Sequence, residues 1–259
     1  ALVNHLSRDL REKPAVGIGI AGILDGSRTT LLESPNLQTL NGTALRDLLM
    51  HRLGVQVSLE NDANCAALGE LWAGSGKNLD SFLLYTIGTG IGGGLILNRK
   101  LWLGELGKAG EFGHMIVNPK GSLCKCGKKG CLEAEASGSA IVRQTRDALR
   151  SGASTSLRDR VNNDASRITP EQVYDAARAG DTLCLNILHQ CAEHLAVAMS
   201  NVNNLLDIHH FIIGGGVGTA IGLVREHLLV QMRRMVFSSS RESIRLLLAH
   251  LGNDAGMYG

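Results

Sequence analysis

Three cysteines and one histidine in the segment 111–133 stand at a spacing that suits a metal ion. They are Cys124, Cys126, Cys131 and His114. Thiolates and an imidazole form the usual ligand set of a tetrahedral zinc site. A disulfide or unrelated thiols are the alternatives, but cysteines one residue apart, such as Cys124 and Cys126, are poor partners for a bridge. The segment therefore predicts a zinc site, and because the protein supplies all four ligands the zinc should be structural.

Two glutamates, Glu111 and Glu133, bracket this segment. A metal bound to His114 would fix the orientation of its imidazole, and the glycines between the cysteines would let the backbone turn tightly around the ion. We therefore expect the metal to organise a polar site between the two glutamates.

Asp62 stands between a predicted strand over 55–59 and a predicted helix over 63–71. Ligands of α/β proteins usually bind at this kind of strand-to-helix junction. Capping of the helix by the carboxylate is the simpler interpretation of the residue by itself. The same carboxylate could also accept a proton from a substrate hydroxyl. The spacing leaves both roles open.

Two glycine runs are candidate phosphate sites. The first, GTGIGGG over residues 88–94, has the spacing of a dinucleotide-binding fingerprint, but that fingerprint must open a helix. Residues 95–97 instead predict a strand, so we expect a strand–loop–strand hairpin whose N–H groups bind phosphate oxygens; the alternative is a tight turn without a ligand. The second run, residues 214–216, lies between a predicted strand and a predicted helix and suits a flat or anionic ligand.

Periodicity and turn residues predict the elements that position these groups. Predicted helices cover residues 1–12, 43–53, 63–71, 138–150, 181–206 and 219–236, and a capping box from Thr169 to Gln172 starts another. Predicted strands cover residues 16–23, 55–59, 81–87, 95–97 and 209–213, and residues 244–250 fit a strand or a helix. We expect a hinge or domain boundary at 74–78 and no closing helix after residue 252. We also expect a loop over 31–37, where Asn36 would contact a ligand or satisfy its own backbone.

The composition describes an ordinary globular protein. A chain of 259 residues with 44% hydrophobic residues can bury a large core in one domain or two. The net charge of +2 gives no reason to expect binding to nucleic acid or to a membrane surface. No apolar run approaches the length of a membrane span, and the N-terminus lacks a signal-peptide pattern. Cys65, Cys184 and Cys191 predict lone buried thiols, which indicates a reducing, cytoplasmic location.

Several of these motifs occur together in the order found in the ROK family of bacterial sugar kinases and repressors. They are Glu60-Asn61-Asp62-Ala63-Asn64, the glycine loop over 88–94, Gly110-Glu111-Phe112-Gly113-His114, the cysteine segment and Ile213-Gly214-Gly215-Gly216. The similarity extends from Val16 onward, and the sequence most resembles the glucokinase branch of the family.

This resemblance implies an α/β protein with the actin-like ATPase (ribonuclease H-like) fold, in which two α/β domains enclose a ligand cleft. Residues 1–76 would be part of the smaller N-terminal domain. Residues 77–259 would form the larger C-terminal domain with the zinc loop 111–133. The family also implies a homodimer or homotetramer.

The resemblance assigns a role to each candidate residue. Asp62 would be the general base that takes a proton from the sugar. The sugar would be held by Asn36, Asn61, Asp62, Glu111, His114 and Glu133. ATP, bound with Mg²⁺, would lie against Gly88, Thr89, Gly90, Gly92, Gly93, Gly214, Gly215 and Gly216. The structural Zn²⁺ would be bound by His114, Cys124, Cys126 and Cys131.

The implied reaction is transfer of the γ-phosphate of ATP to the primary hydroxyl of a hexose, with glucose expected. A sugar-responsive transcriptional repressor and a sugar-binding module without catalysis are the alternatives. The intact glycine loop and Asp62 favour the kinase, and no basic DNA-reading helix is visible. Kinases of this family open with a strand and an Asp-x-Gly-Gly-Thr phosphate loop, for which we find no counterpart. We therefore expect this sequence to be a fragment, or to have lost ATP handling.

Overall fold

The computed structural model describes residues 15–34, 36–216 and 221–259. The strands are β1 (Val16–Ile20), β2 (Ile23–Leu24), β3 (Leu31–Glu33), β4 (Val57–Asn61), β5 (Phe82–Ile87), β6 (Ile91–Leu97), β7 (Lys100–Leu101), β8 (His210–Gly214) and β9 (Arg245–Leu248). The α-helices are α1 (Leu45–Leu53), α2 (Asp62–Ala73), α3 (Leu132–Ala136), α4 (Gly138–Arg150), α5 (Leu157–Arg160), α6 (Pro170–Arg178), α7 (Thr182–Leu206), α8 (Ile221–Met235) and α9 (Ala255–Tyr258). The helix predicted over 1–12 lies outside the described residues.

A five-stranded sheet with the order β7-β6-β5-β8-β9 forms the largest layer. Strand β5 pairs antiparallel with β6 and parallel with β8. Successive side chains of a strand point to opposite faces. Tyr85 and Ile87 are accordingly buried in the cluster that includes α7 and α8. Phe82 and Leu84 are buried in the cluster that includes α2 and α9. Helices therefore cover both faces of this sheet.

Two short sheets come earlier in the chain, with β1 parallel to β4 and β2 antiparallel to β3. Leu24 and Leu31 form a separate buried cluster with Leu59 of β4 and Leu45 of α1. Strand β4 runs directly into α2, which packs on the large sheet. Helix α2 therefore joins the two layers, and its first residue, Asp62, lies at that junction.

Most predicted elements are confirmed where the structure describes them. The helix predicted over 138–150 has the predicted bounds, and the helix over 43–53 ends at Gly54 in the left-handed conformation, with φ 64°. The capping box is present, since Thr169 and Gln172 each accept a hydrogen bond from the backbone of the other. The predicted hairpin is confirmed, but its loop is shorter than predicted: residues 88–90 join β5 to antiparallel β6, and the strand predicted over 95–97 already begins at Ile91, because 91–94 pair with β5. Residues 245–248 form a strand.

Three predicted elements are corrected by tertiary contacts. The strand predicted over 16–23 ends at Ile20, and the chain bends before it continues as β2. The bend packs Gly22 closely against the segment after β3, where a Cβ on Gly22 would lie 3.0 Å from Ser34 Cβ. The loop predicted over 31–37 begins with β3, because Leu31 is fully buried and pairs with β2. The segment predicted to lack a closing helix contains α9, which is stabilised by packing against α2.

No helix in the part of the chain that the structure describes is both long and apolar enough to cross a membrane.

Candidate active site and metal centre

The four predicted metal ligands come together in the structure. The ligand atoms of His114, Cys124, Cys126 and Cys131 all lie within 4.8 Å of one another. Cys124 Sγ is 3.7 Å from His114 Nδ1, and Cys126 Sγ is 3.6 Å from Cys131 Sγ. Two sulfurs bound tetrahedrally to one zinc at about 2.3 Å would be about 3.8 Å apart. The cluster therefore has the dimensions and donor set of a structural zinc site, and all six cysteines of the chain are free of disulfides.

The backbone around the cluster folds back on itself. Val117 N donates to Gly130 O at 2.9 Å, and Leu132 N donates to Met115 O at 2.8 Å, so the two arms of the segment run antiparallel. Gly130 has a φ of +72°, and a Cβ there would overlap Asn118 O. A glycine is required at this position because neither the backbone angle nor the space admits a side chain.

His114 presents its two ring nitrogens to different neighbours. Its Nδ1 faces Cys124 Sγ at 3.7 Å, whereas its Nε2 lies 3.9 Å from Glu111 Oε2. A metal bound at Nδ1 would leave the ring proton on Nε2. The imidazole would then present an N–H donor on the Glu111 side of the site.

The start of α2 is capped by Asn61, so the interpretation of Asp62 as the cap is wrong. Asn61 Oδ1 accepts hydrogen bonds from Ala63 N at 2.9 Å and Asn64 N at 3.1 Å. Asn61 Nδ2 donates to Gly22 O at 3.2 Å. Asp62 is the first helical residue, and its Oδ1 accepts from Ala63 N at 3.0 Å. The carboxylate therefore lies at the N-terminal, positive end of the helix dipole.

Acidic groups from several segments influence one another around Glu111. Burial raises the pKa of Glu111 above its usual value, the neighbouring His114 lowers it, and the negative charges of Asp62, Glu133 and Glu33 raise it further. His114 Nε2 lies 3.9 Å from Glu111 Oε2, and the charges of Asp62 and Glu133 act on Glu111. The shared role of these four residues in binding a sugar stays a prediction. A site with several carboxylates suits a ligand that donates several hydrogen bonds, such as a polyol.

The glycine loop between β5 and β6 is attached to the segment that follows the metal cluster. Gly138 N, at the start of α4, donates to Gly88 O at 2.8 Å. Glu133 Oε2 accepts a hydrogen bond from Ile91 N at 3.0 Å, and a Cβ on Gly90 would meet the same oxygen. Thr89 lies at the tip of the loop. The Glu133 carboxylate therefore connects the metal-cluster segment with the glycine loop.

Two glycines predicted to contact phosphate are also required for packing within β6. A Cβ on Gly92 would lie 2.7 Å from Thr86 Oγ1 and 3.0 Å from Ala63 Cβ. A Cβ on Gly93 would lie 2.8 Å from Phe112 Cδ2. These glycines let α2 and the segment that carries Glu111 approach the sheet closely. Their contact with phosphate stays a prediction.

The second glycine run lies beside the first, at the carboxyl ends of two parallel strands. Thr86 of β5 pairs with Gly214 of β8. Gly215 has a φ of +86°, and a Cβ there would meet Ile87 O, while Gly216 has open space around its Cα. Ligands of open α/β sheets bind outside the carboxyl ends of the strands. The two glycine runs therefore form one edge suited to a nucleotide.

Asn36 lies in the exposed loop after β3. That loop is held by Ser34, which is buried and whose Oγ donates to Ala21 O at 2.6 Å. The role of Asn36 as a sugar ligand stays a prediction.

Sequence reasoning missed Glu33, Arg28 and Glu60 as residues of this region. The charge of Glu33 acts on Glu111, and Arg28 Nε lies 2.9 Å from Glu60 Oε2. The only signal in the sequence was the position of Glu60 directly before Asn61 and Asp62. Arg28 gave none, because its partner is 32 residues away.

A sheet covered by helices on both faces, two glycine turns at one strand edge and a neighbouring group of carboxylates define a nucleotide- and ligand-binding α/β protein. A model of the ROK family matches residues 1–259. The chain belongs to the ROK family and has its actin-like ATPase fold.

Similar proteins include both kinases and a regulator. The chain is 36% identical over 251 residues to a glucokinase of Thermotoga maritima, and the match covers 97% of this chain and 79% of that protein. The crystal structure of a ROK family glucokinase from Streptomyces griseus in complex with glucose and AMPPNP has a TM-score of 0.84 at 36% identity, with 99% of this chain and 82% of that chain covered. A ROK family transcriptional regulator, a homologue of the E. coli MLC protein, has a TM-score of 0.88 at 26% identity, with 100% and 64% covered.

Proposed function

We propose that this protein is an ATP-dependent sugar kinase that phosphorylates the primary hydroxyl of a hexose, with glucose as the expected substrate. The observation that carries the proposal is the position of Asp62. Asp62 is the first residue of α2, and its charge acts on Glu111. The next residue, Ala63, lies close to β6, since a Cβ built on Gly92 would be 3.0 Å from Ala63 Cβ. A carboxylate at the start of α2, whose charge acts on Glu111 and whose neighbour Ala63 approaches glycine-rich β6, supports the role of base. The similarity to the glucokinase that binds glucose and AMPPNP supports the same assignment.

In this proposal Asp62 accepts the proton of the sugar hydroxyl as the γ-phosphate of ATP arrives. A loose transition state demands little early deprotonation of the sugar hydroxyl. The hydroxyls of the sugar ring are held by Asn36, Asn61, Glu111, His114 and Glu133. Carboxylates accept hydrogen bonds from sugar hydroxyls, whereas His114 Nε2 donates a hydrogen bond to a hydroxyl oxygen. The set therefore offers partners for both the donor and the acceptor role of the sugar hydroxyls.

The nucleotide is proposed to bind at the glycine edge. The phosphates lie against Gly88, Thr89, Gly90, Gly92 and Gly93, and the adenosine lies near Gly214, Gly215 and Gly216. Mg²⁺ bound with ATP neutralises the phosphate charge in transfer. The protein contributes backbone N–H donors and a loop held in place by the Gly138 N to Gly88 O hydrogen bond of 2.8 Å.

A structural zinc bound by His114, Cys124, Cys126 and Cys131 completes the proposed site. The ion supplies a rigid tetrahedral anchor when bound. Two ligands of the ion connect it to the proposed sugar site. His114 is oriented toward Glu111, and Cys131 leads directly into α3, which carries Glu133.

The proposal is tested by Asp62→Asn in the natural protein. Release of ADP is measured with glucose, fructose, N-acetylglucosamine and N-acetylmannosamine, and glucose binding is measured by calorimetry. We expect turnover with glucose to fall by about 10²–10⁴-fold, while the affinity for glucose changes little. Asp47→Asn, which changes an exposed carboxylate of α1, is the matched control. Unchanged ADP release in Asp62→Asn would exclude the proposed base.

The similarity to the transcriptional regulator favours a second candidate function, a sugar-responsive repressor. Sugar binding by the wild-type protein without any ADP release would support that candidate or a non-catalytic sugar-binding module. A DNA-binding measurement with and without sugar would then separate the two. We also propose that the protein is cytoplasmic and forms a homodimer or homotetramer. Within each chain, we propose a domain boundary near residue 76.

A further inference from the structure

We propose that Arg28 and Glu60 are positioning residues that hold the loop before Glu111 against the start of α2. This inference rests on the proposed kinase function, and it assigns the pair a specific effect. The pair should set the affinity for the sugar and leave the nucleotide site unchanged.

Glu60 uses both carboxylate oxygens to organise the start of α2. Its Oε1 accepts from Asn61 N at 2.8 Å and from Asn64 Nδ2 at 2.9 Å. Its Oε2 accepts from Arg28 Nε at 2.9 Å. One side chain therefore connects the helix start that carries Asp62 with the turn between β2 and β3.

Arg28 extends the connection to a third segment. Its Nη1 donates to Gly107 O at 2.8 Å and to Asp25 O at 3.2 Å. The side chains of Arg28 and Glu60 are only 15% and 18% exposed, so water screens the pair weakly. Gly107 precedes Glu111 by four residues in the loop that follows β7.

The turn that carries Arg28 is built to hold it in an uncommon conformation. Arg28 has a φ of 55°, in the left-handed region that most side chains avoid. Asp25 Oδ1 accepts from Thr29 N at 2.7 Å and from Thr30 N at 2.8 Å, which closes the turn around it. A strained residue persists where surrounding contacts require its geometry.

The loop before Glu111 is packed closely against Arg28 and against Asn64 of α2. A Cβ on Gly107 would lie 2.7 Å from Arg28 Nη1, and a Cβ on Gly110 would lie 3.3 Å from Asn64 Oδ1. A small cavity among these segments is also lined by Glu111. Loss of the Arg28 side chain would therefore free the loop and let Glu111 move relative to Asp62.

The nucleotide edge is held by other contacts, namely the pairing of Thr86 with Gly214 and the hydrogen bond from Gly138 N to Gly88 O. Loosening the Glu111 loop should therefore weaken sugar binding selectively. A planar guanidinium bridges Glu60 and the Gly107 carbonyl at once, which a lysine ammonium cannot reproduce.

The test compares Arg28→Ala, Arg28→Lys, Glu60→Gln and the double variant Arg28→Ala/Glu60→Gln with the wild type. The Kd for glucose is measured by calorimetry, kcat and both KM values by ADP release, and hydrogen exchange by mass spectrometry over 104–111. For Arg28→Ala we expect the glucose Kd and KM to rise about tenfold or more, which corresponds to about 1.4 kcal/mol. The KM for ATP and kcat should stay within about twofold, and exchange over 104–111 should increase. Arg28→Lys should recover only part of the loss, and the double variant should be no worse than the single ones.

Arg178→Ala, which removes an exposed ion pair on α6, is the control and should change none of these readouts. Equal losses for sugar and ATP, or unchanged exchange over 104–111, would overturn the positioning role. If the wild type shows no ADP release with any sugar, the proposed function fails. The exchange measurement still decides whether Arg28 holds the loop.

Discussion

Glu133 makes two kinds of contact from one side chain. One carboxylate oxygen accepts a hydrogen bond from Ile91 N at 3.0 Å, while the other lies 4.0 Å from Cys124 Sγ in the metal cluster. The residue therefore stands between the segment that holds the proposed zinc and the loop that is proposed to hold phosphate. Its effect on binding should depend on which property of the side chain is removed.

We predict that Glu133→Ala raises the KM for both the sugar and ATP, whereas Glu133→Gln raises mainly the KM for the sugar. The glutamine carbonyl can still accept from Ile91 N, but the amide lacks the charge that strengthens hydrogen bonds to hydroxyls. Each loss should be about tenfold. Steady-state kinetics with each substrate varied in turn measure the difference. Glu171→Ala, at an exposed position on α6, serves as the control. The prediction would be contradicted if the KM for ATP rose equally in Glu133→Ala and Glu133→Gln.

At the scale of an element, the metal-cluster segment carries its ligands on a short antiparallel turn with little apolar content. Cys131 is fully buried, but Leu123 and Ile116 are largely exposed. Such a segment gains little from hydrophobic burial, so its order should depend on the ion. The segment also carries His114 and leads into Glu133, so the proposed sugar site would depend on the proposed zinc.

We predict that the protein contains one zinc per chain and that Cys131→Ser or treatment with a strong chelator removes it. Removal should lower the thermal unfolding temperature and weaken glucose binding by at least about tenfold, because His114 loses its anchor. Elemental analysis, calorimetry and thermal unfolding measure these effects. Cys184→Ser alters a buried thiol in α7, outside the cluster, and should retain the metal. Full glucose affinity after loss of the ion would contradict the prediction.

At the scale of the whole molecule, a buried carboxylate joins parts of the chain that are far apart in sequence. Glu70 of α2 is fully buried. Its Oε2 accepts from Ser75 N at 2.7 Å and from His250 N at 3.1 Å, and its Oε1 accepts from Leu251 N at 2.8 Å. The glycine-rich 74–78 segment, predicted as a hinge or boundary, is thereby tied to the connection between β9 and α9.

We predict that Glu70→Ala lowers the free energy of unfolding by roughly 3–5 kcal/mol, since three backbone N–H groups would lose the buried carboxylate that accepts their hydrogen bonds. Glu70→Gln should lose less, because its carbonyl oxygen retains part of the set. Urea unfolding followed by circular dichroism measures both variants. Glu226→Ala, at an exposed position of α8, should change stability by less than about 0.5 kcal/mol. A similarly small effect of Glu70→Ala would show that this connection does not stabilise the fold.

Local patterns in the sequence were sufficient for features whose partners are near in the chain. The cysteine spacing predicted a metal cluster that the structure assembles, because its thiolates lie within eight residues of one another. The capping box at Thr169 and the turn at Gly54 depend on backbone geometry within one helical turn. The β5–β6 hairpin was likewise predicted, since adjacent strands and a glycine loop determine it.

Features that depend on contacts between distant segments were decided only by the tertiary structure. Asn61, not Asp62, caps α2, because its amide also reaches Gly22 across 39 residues. Gly92, predicted in the glycine loop, lies in strand β6, where its lack of a side chain lets α2 pack closely over the sheet. Arg28, in the turn between β2 and β3, pairs with Glu60 of β4, which is 32 residues away in the chain. Periodicity encodes which residues are buried but not which surfaces meet, so the sequence by itself determined the ligand set and most elements, and packing decided how they form one site.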